Sequence, residues 1–143
     1  MDILMDYLGE LNWWAVIAAA AAGYATCGVW YSQSVFGKAW MKAAGLGGKT
    51  KNVKGDKFTV IMLISAITIV ITAAALAVLF DVLRLSGVMD GATLGLLVAG
   101  GFLVTNNGMH KLYEMRPYMH FSITALGDVA SLVVMGAVLG FFK

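Results

Sequence analysis

Charged residues are absent from long stretches of this chain and crowd into the segments between them. No Asp, Glu, Lys or Arg occurs from Leu11 to Gly37, from Phe58 to Phe80 or from Gly91 to His110. A fourth stretch, Pro117 to Phe142, is broken only by Asp128. None shows the period-two alternation of a half-buried strand. Each is long enough to cross roughly 30 Å of hydrocarbon as a helix rising about 1.5 Å per residue. Lipid offers the backbone no hydrogen-bond partners, so helices are the expected form, and the alanine run Ala18–Ala22 favours helix over strand. The pattern predicts an all-α integral membrane protein, one four-helix bundle domain over 1–143. Its spans fall at about 11–33, 58–80, 91–112 and 117–142, arranged as two hairpins around a basic loop, 34–57.

Part of that loop is itself patterned. Val35, Phe36, Ala39, Trp40 and Ala43 share one helical face, with Lys38 and Lys42 on another. This suits a short interfacial helix, aromatics towards the acyl chains and lysines towards lipid phosphates. An extension of the first span accounts for the same residues. Gly45, Gly47, Gly48 and Gly55 suggest that the rest of the loop is mobile. Trp13, Trp14, Trp30 and Tyr31 lie near the two ends of the first span, as an aromatic belt would.

Composition agrees with the pattern. Of 143 residues, 60% are hydrophobic and 13% charged, and mean hydropathy is +0.82. Four spans of about 20 residues absorb nearly all of that apolar content. Disorder, nucleic-acid reading and an ordinary soluble domain are excluded as classes. The lone Cys27 can form neither an intrachain disulfide nor a cysteine metal site. Asp2, Asp6 and Glu10 precede the first span with no base among them, so no secretory leader is expected.

The net charge of +2 matters through its placement. Lys38, Lys42, Lys49, Lys51, Lys54 and Lys57 fill the first loop, and Lys111 and Arg116 flank the second turn on the same side. Only Arg84 and Lys143 lie opposite, among Asp2, Asp6, Glu10, Asp81 and Asp90. The positive-inside rule places the two basic turns in the cytoplasm and both termini on the other side. The basic loop is also a candidate for anionic-lipid contact.

Small residues recur at four-residue spacing: Ala15, Ala19 and Gly23; Gly91, Gly95 and Ala99; Gly136 and Gly140. Such ladders let helix backbones approach closely where lipid supplies no hydrophobic force between them. They serve packing within the bundle or self-association between copies.

Polar residues at depth are the candidate chemistry. Asp128 lies about 15 Å along its helix from Tyr118, near the bilayer centre. A carboxylate there is costly unless protonated, paired or facing a wet cavity. His120, Thr124 and Asp128 recur at four-residue spacing, with Ser131 near the same face. Thr105, Asn106 and Asn107 lie at a similar depth in the third span, and Tyr24, Cys27 and Tyr31 share a face of the first. A polar pocket of Asp128, His120, Thr124, Asn106, Asn107, Tyr24 and Tyr31 is one reading. Interhelical hydrogen bonding is the other, and it is the reading favoured for Asn106, Asn107, Cys27, Ser65, Thr68 and Thr72. No nucleotide-binding glycine loop or zinc helix occurs, and neither a cofactor nor a metal is expected.

Two motifs carry a resemblance. Asn12-Trp13 with Trp30-Tyr31-Ser32-Gln33-Ser34-Val35-Phe36-Gly37-Lys38-Ala39-Trp40-Met41 is one. The other is Tyr113-Glu114-Met115-Arg116-Pro117 with Met135-Gly136-Ala137-Val138-Leu139-Gly140. Over nearly the whole chain they resemble a bacterial membrane family known as domain of unknown function 1761. The resemblance implies a four-span membrane protein and brings no activity; the expected location is a bacterial inner membrane. Gln33 stands where the family often has proline, so a proline-made bend is not expected. The motif residues Trp30, Phe36, Lys38, Trp40, Glu114, Arg116 and Pro117 gather at the inner boundary, where Glu114 is expected to pair with Lys38 or Lys42 and Pro117 to open the fourth span.

Three functions are open to such a chain. It binds or conducts a small solute or ion through the pocket as a non-enzymatic oligomer, it serves as an accessory subunit of a larger membrane complex, or it is an enzyme acting on a lipophilic substrate.

Overall fold

A computed structural model describes residues 2–46 and 56–143, and the side chains of 5–46 and 59–143. In chain order the helices are α1 (Asp2–Glu10), α2 (Trp13–Trp30), α3 (Gly37–Ala43), α4 (Asp56–Val82), α5 (Val88–Val98), a π-helical segment (Ala99–Val104), α6 (Thr105–Glu114) and α7 (Tyr118–Phe141). No strand occurs among the described residues. Four spans are long and apolar enough to cross a membrane: Trp13–Trp30, Thr59–Val82, Val88–Glu114 and Tyr118–Phe141. The chain is therefore a multi-pass four-helix membrane protein. Lys49, Lys51 and Lys54, with the glycines 47, 48 and 55, lie outside the described residues.

Helix α7 is the hub. Half of its apolar window is buried within the chain, against 22 to 28% of the other three. Its principal neighbours are α5 and α2, whereas α4 leans mainly on α2. The small-residue ladders make the α5–α7 seam. A Cβ built on Gly91 would fall on the Gly136 carbonyl, one on Gly95 on the Leu132 carbonyl, and one on Gly140 on the Gly87 carbonyl. Only glycine permits backbones this close. On the α2 side Gly23 makes room for the Met135 side chain. The ladders thus pack helices within one chain.

The core is lopsided. Leu11, Ala15, Val16, Ala19, Ala20, Ala73, Leu76, Ala77, Phe80, Leu94, Met135 and Leu139 form one buried cluster. These positions lie at the beginnings of α2 and α5 and the ends of α4 and α7, so the core closes the end of the bundle that carries the chain termini. Lys143 and Asp81, 2.5 Å apart, tie α7 to α4 at that end. No residue of α4 from 59 to 72 is buried. The half of the bundle nearer the basic turns is consequently loose, and its larger cavities lie there.

Helix α1 is an element that the acidic, mixed pattern of the first ten residues did not predict. It packs on α4, and Asn12 separates it from α2 by accepting a 3.3 Å hydrogen bond from Ala15 N–H. The first span ends at Trp30 rather than near residue 33. Between Tyr31 and Phe36 the chain turns sharply without proline. Phe36 N–H bonds the Trp30 carbonyl at 3.2 Å, and Gly37 N–H the Ser32 carbonyl at 2.9 Å. A Cβ on Gly37 would strike the Tyr31 carbonyl, which explains glycine there. This turn rules out a continuous extension of span one.

The short helix forms, as α3, but its aromatic face docks on α7 instead of on lipid. Trp40 and Trp30 both find hydrogen-bond acceptors on α7, a stronger pull on an indole N–H than an acyl chain offers. Trp30 and Tyr31 therefore leave the expected aromatic belt, while Trp13 and Trp14 remain exposed at the other end.

Candidate functional site

Three elements converge on the loose half of α7. The Trp30 indole N–H donates to the Ile123 carbonyl at 2.9 Å, and its ring packs on Phe36 at 4.6 Å between centroids. Gly127 is the notch that admits it, since a Cβ there would lie 2.9 Å from the indole. Trp40 donates from Nε1 to the Thr124 hydroxyl at 3.1 Å, and that hydroxyl donates to the His120 carbonyl at 2.9 Å. The Trp40 ring lies 5.7 Å from that of Tyr31 and 5.3 Å from that of His120. The motif aromatics are thus a clamp holding the turn and α3 against α7.

Asp128 lies one helical turn deeper. Its carboxylate accepts a 2.8 Å hydrogen bond from Asn107 Nδ2. Of the two adjacent asparagines only Asn107 reaches it, and Asn106 is exposed. The π segment decides between them. The seam face of α5 runs Gly91, Gly95, Ala99; an uninterrupted α-helix would carry it to Phe102 and Asn106. One extra residue in the π turn moves it on to Leu103, Asn107 and Lys111. Phe102 is accordingly 69% exposed, whereas Lys111 is buried. The Thr105 hydroxyl donates to carbonyls loosened by this turn, Gly101 at 2.7 Å and Phe102 at 3.2 Å.

Asp128 faces a cavity of about 480 Å³ between α2, α4 and α7. Tyr24, Tyr31, Ser65, Thr68, Thr72 and Ser131 contribute its polar groups, and Met62, Ile69, Leu103, Leu132 and Met135 its apolar wall. Most of the hydroxyls are already engaged. Ser65, Thr68 and Thr72 donate to carbonyls of their own helix, and Ser131 to the Gly23 carbonyl at 3.3 Å. Tyr24 donates to the Met62 sulfur at 3.0 Å across the α2–α4 gap. These residues line the cavity, but Ser65, Thr68 and Thr72 are satisfied within their own helix rather than by the interhelical bonds expected of them. A Ser or Thr hydroxyl readily reaches a carbonyl one turn back. Asp128 differs, because a carboxylate has about four acceptor positions and Asn107 is the one donor it receives among the described residues.

His120 and Thr124 lie outside this cavity. With Asn107, His110, Lys111, Glu114, Arg116 and Phe121 they line a separate one, about 340 Å³, between α6 and the start of α7. The expected pocket is therefore two compartments meeting at Asn107. Glu114 pairs with Arg116, two residues away, and not with Lys38 or Lys42, both of which point outward. The left-handed Met115 turns the chain back between α6 and α7, and that tight corner holds Glu114 and Arg116 together. Pro117 caps α7 as its fixed φ allows. No three His, Cys, Asp or Glu side chains gather as metal ligands among the described residues.

Neither the notch at Gly127 nor the burial of Lys111 is legible from the hydropathy pattern. Four-residue spacing links Lys111 to Asn107, but its significance depends on the π turn.

A family model described as "Protein of unknown function (DUF1761)" matches residues 14–140. No curated protein and no solved structure matches the chain.

Proposed function

The chain belongs to the DUF1761 family, whose function is unknown, and from that premise we propose that it takes up a small amphipathic cation in the Asp128 cavity. The charge of the cation faces the carboxylate, and its apolar body faces Met62, Ile69, Leu103 and Leu132. The observation that carries this reading is a single carboxylate at mid-depth in a span, held by one amide and open to a largely apolar cavity. An unpaired acid at that depth is expensive, and a bound cation offsets the cost where Asn107 is the one donor among the described residues. The tyrosine rings of the first span add faces that attract cations.

Binding of tetraphenylphosphonium to the purified protein tests this. Saturable binding is expected, weakened about tenfold or more in Asp128→Asn, equivalent to about 1.4 kcal/mol, with an unchanged gel-filtration profile. Equal binding by both proteins sinks the cavity reading. Absence of binding together with stoichiometric co-purification of a larger complex favours the accessory role instead. Flux of the same cation in proteoliposomes separates passage from binding.

The same proposal orients the protein in the bacterial inner membrane with its basic turns in the cytoplasm and both termini outside, because eight of ten bases lie at one end. In a Cys27→Ser background, a membrane-impermeant maleimide is expected to label intact cells carrying Ser86→Cys and to spare Gln33→Cys. The reverse pattern would invert the topology.

A further inference from the structure

A second site, of opposite charge preference, lies at the α6–α7 corner. We infer that the cavity between these helices takes a phosphate group, held by Lys111, His120 and Arg116. Lys111 is only 8% exposed, yet no carboxylate lies within ion-pair distance of it among the described residues. Its ammonium sits 2.7 Å from the centroid of the Tyr118 ring and its side chain lines the cavity. A buried cation ordinarily has an anion beside it, and an aromatic face supplies only part of what a carboxylate or phosphate would.

His120 makes the second, independent observation. It too is 8% exposed and lines the cavity, and its Nε2 is buried with no hydrogen-bond partner among the described residues. Buried polar atoms are rarely left unmade, and one beside an unpaired buried ammonium points to a missing ligand. A phosphate oxygen would accept from the Lys111 ammonium, and from His120 in the tautomer that carries its proton on Nε2, once the ring turns that atom to the cavity.

The backbone contributes in the same sense. Pro117 offers α7 no side-chain cap, so the amides of its first turn stay open at this corner. The N-terminal end of a 24-residue helix favours an anion there. Glu114 is the one carboxylate in the lining; it is half-exposed and held by Arg116, leaving Lys111 as the uncompensated charge. A phosphate has three or more acceptor oxygens to meet Lys111, His120 and the open amides together, whereas a chloride lacks that reach.

The phosphate arrives either as a lipid headgroup, since the corner lies at the end of two spans, or free in solution. Two arms distinguish these sources. In the first, protein is purified with phosphatidylglycerol, washed in detergent, and its retained lipid counted by native mass spectrometry. In the second, delipidated protein is melted with and without inorganic phosphate.

One retained phosphatidylglycerol, or a rise in melting temperature with phosphate, is expected for the unmodified chain. Lys111→Met and Arg116→Gln should each reduce the effect about fivefold or more, roughly 1 kcal/mol. The pair Lys38→Met and Lys42→Met, exposed bases away from the cavity, should leave most of it. Arg116 lies on the exposed rim, so its variant keeps the test alive should Lys111→Met fail to fold. Retention that depends on Lys38 and Lys42 and ignores Arg116 overturns the site, as does no response in either arm. Tetraphenylphosphonium binding by Arg116→Gln should be unchanged, which keeps this result separate from that of the Asp128 cavity.

Discussion

A methyl group added at Gly91 or at Gly136 is expected to push apart the two most extensively packed helices of the bundle. Each Cβ would occupy the position of the other residue's carbonyl, and carbonyl backbone cannot step aside as a side-chain tip can. Overpacking of this kind costs about 1–3 kcal/mol, occasionally more, and little in lipid compensates, because helix association there rests on close packing. Gly91→Ala and Gly136→Ala should each lower the midpoint of unfolding in mixed detergent. The double variant should cost clearly less than the sum, since helices separated by one methyl group accommodate the second. Gly28→Ala, where a Cβ meets nothing within 4 Å, should stay within about 0.5 kcal/mol. Equal effects at all three positions would mean that the α5–α7 seam is not close-packed.

Asn107→Ala should be damaging and Asn106→Ala silent. The first removes the Asp128 hydrogen bond and leaves a half-buried carboxylate without its donor, at about 1–3 kcal/mol. The second alters an exposed side chain and should stay within about 0.5 kcal/mol. Deleting Gly101 provides the sharper check. Removing one residue converts the π turn to regular α-helix and keeps Asn107, by then one position earlier, on the face towards Asp128. That variant should retain tetraphenylphosphonium binding within about threefold, under 1 kcal/mol, whereas inserting an alanine in place of the deletion should abolish it. Loss of binding on deletion would mean that the π turn does more than set register.

How much the residues announce depends on the range of the physics involved. The spans follow from hydropathy alone, because a bilayer imposes the same demand on every segment that crosses it. The ladders Gly91-Gly95-Ala99 and Gly136-Gly140 likewise announce close approach. Which helices approach is a different matter, since Gly91 meets Gly136 only when α5 and α7 lie side by side. Trp30 and Trp40 show the limit clearly. An aromatic at a span end reads as a membrane-interface residue, and nothing local reveals that the Ile123 carbonyl and the Thr124 hydroxyl are waiting on another helix. Glu114 reads as a partner for the first loop, yet its local corner gives it Arg116 at shorter range.

By itself the sequence determined a membrane protein of four helices, its basic and acidic ends, and one acid at mid-depth. These depend on composition and period, which each segment carries alone. Only the tertiary structure decided that Asn107 rather than Asn106 meets Asp128, that Asp128 and His120 line separate cavities, and that Lys111 is buried with no carboxylate paired to it among the described residues. Each depends on a helix's rotation about its own axis, where a single extra residue amounts to about 100°. Hydropathy is blind to that angle, and the packing of α5, the π turn and α6 against α7 sets it.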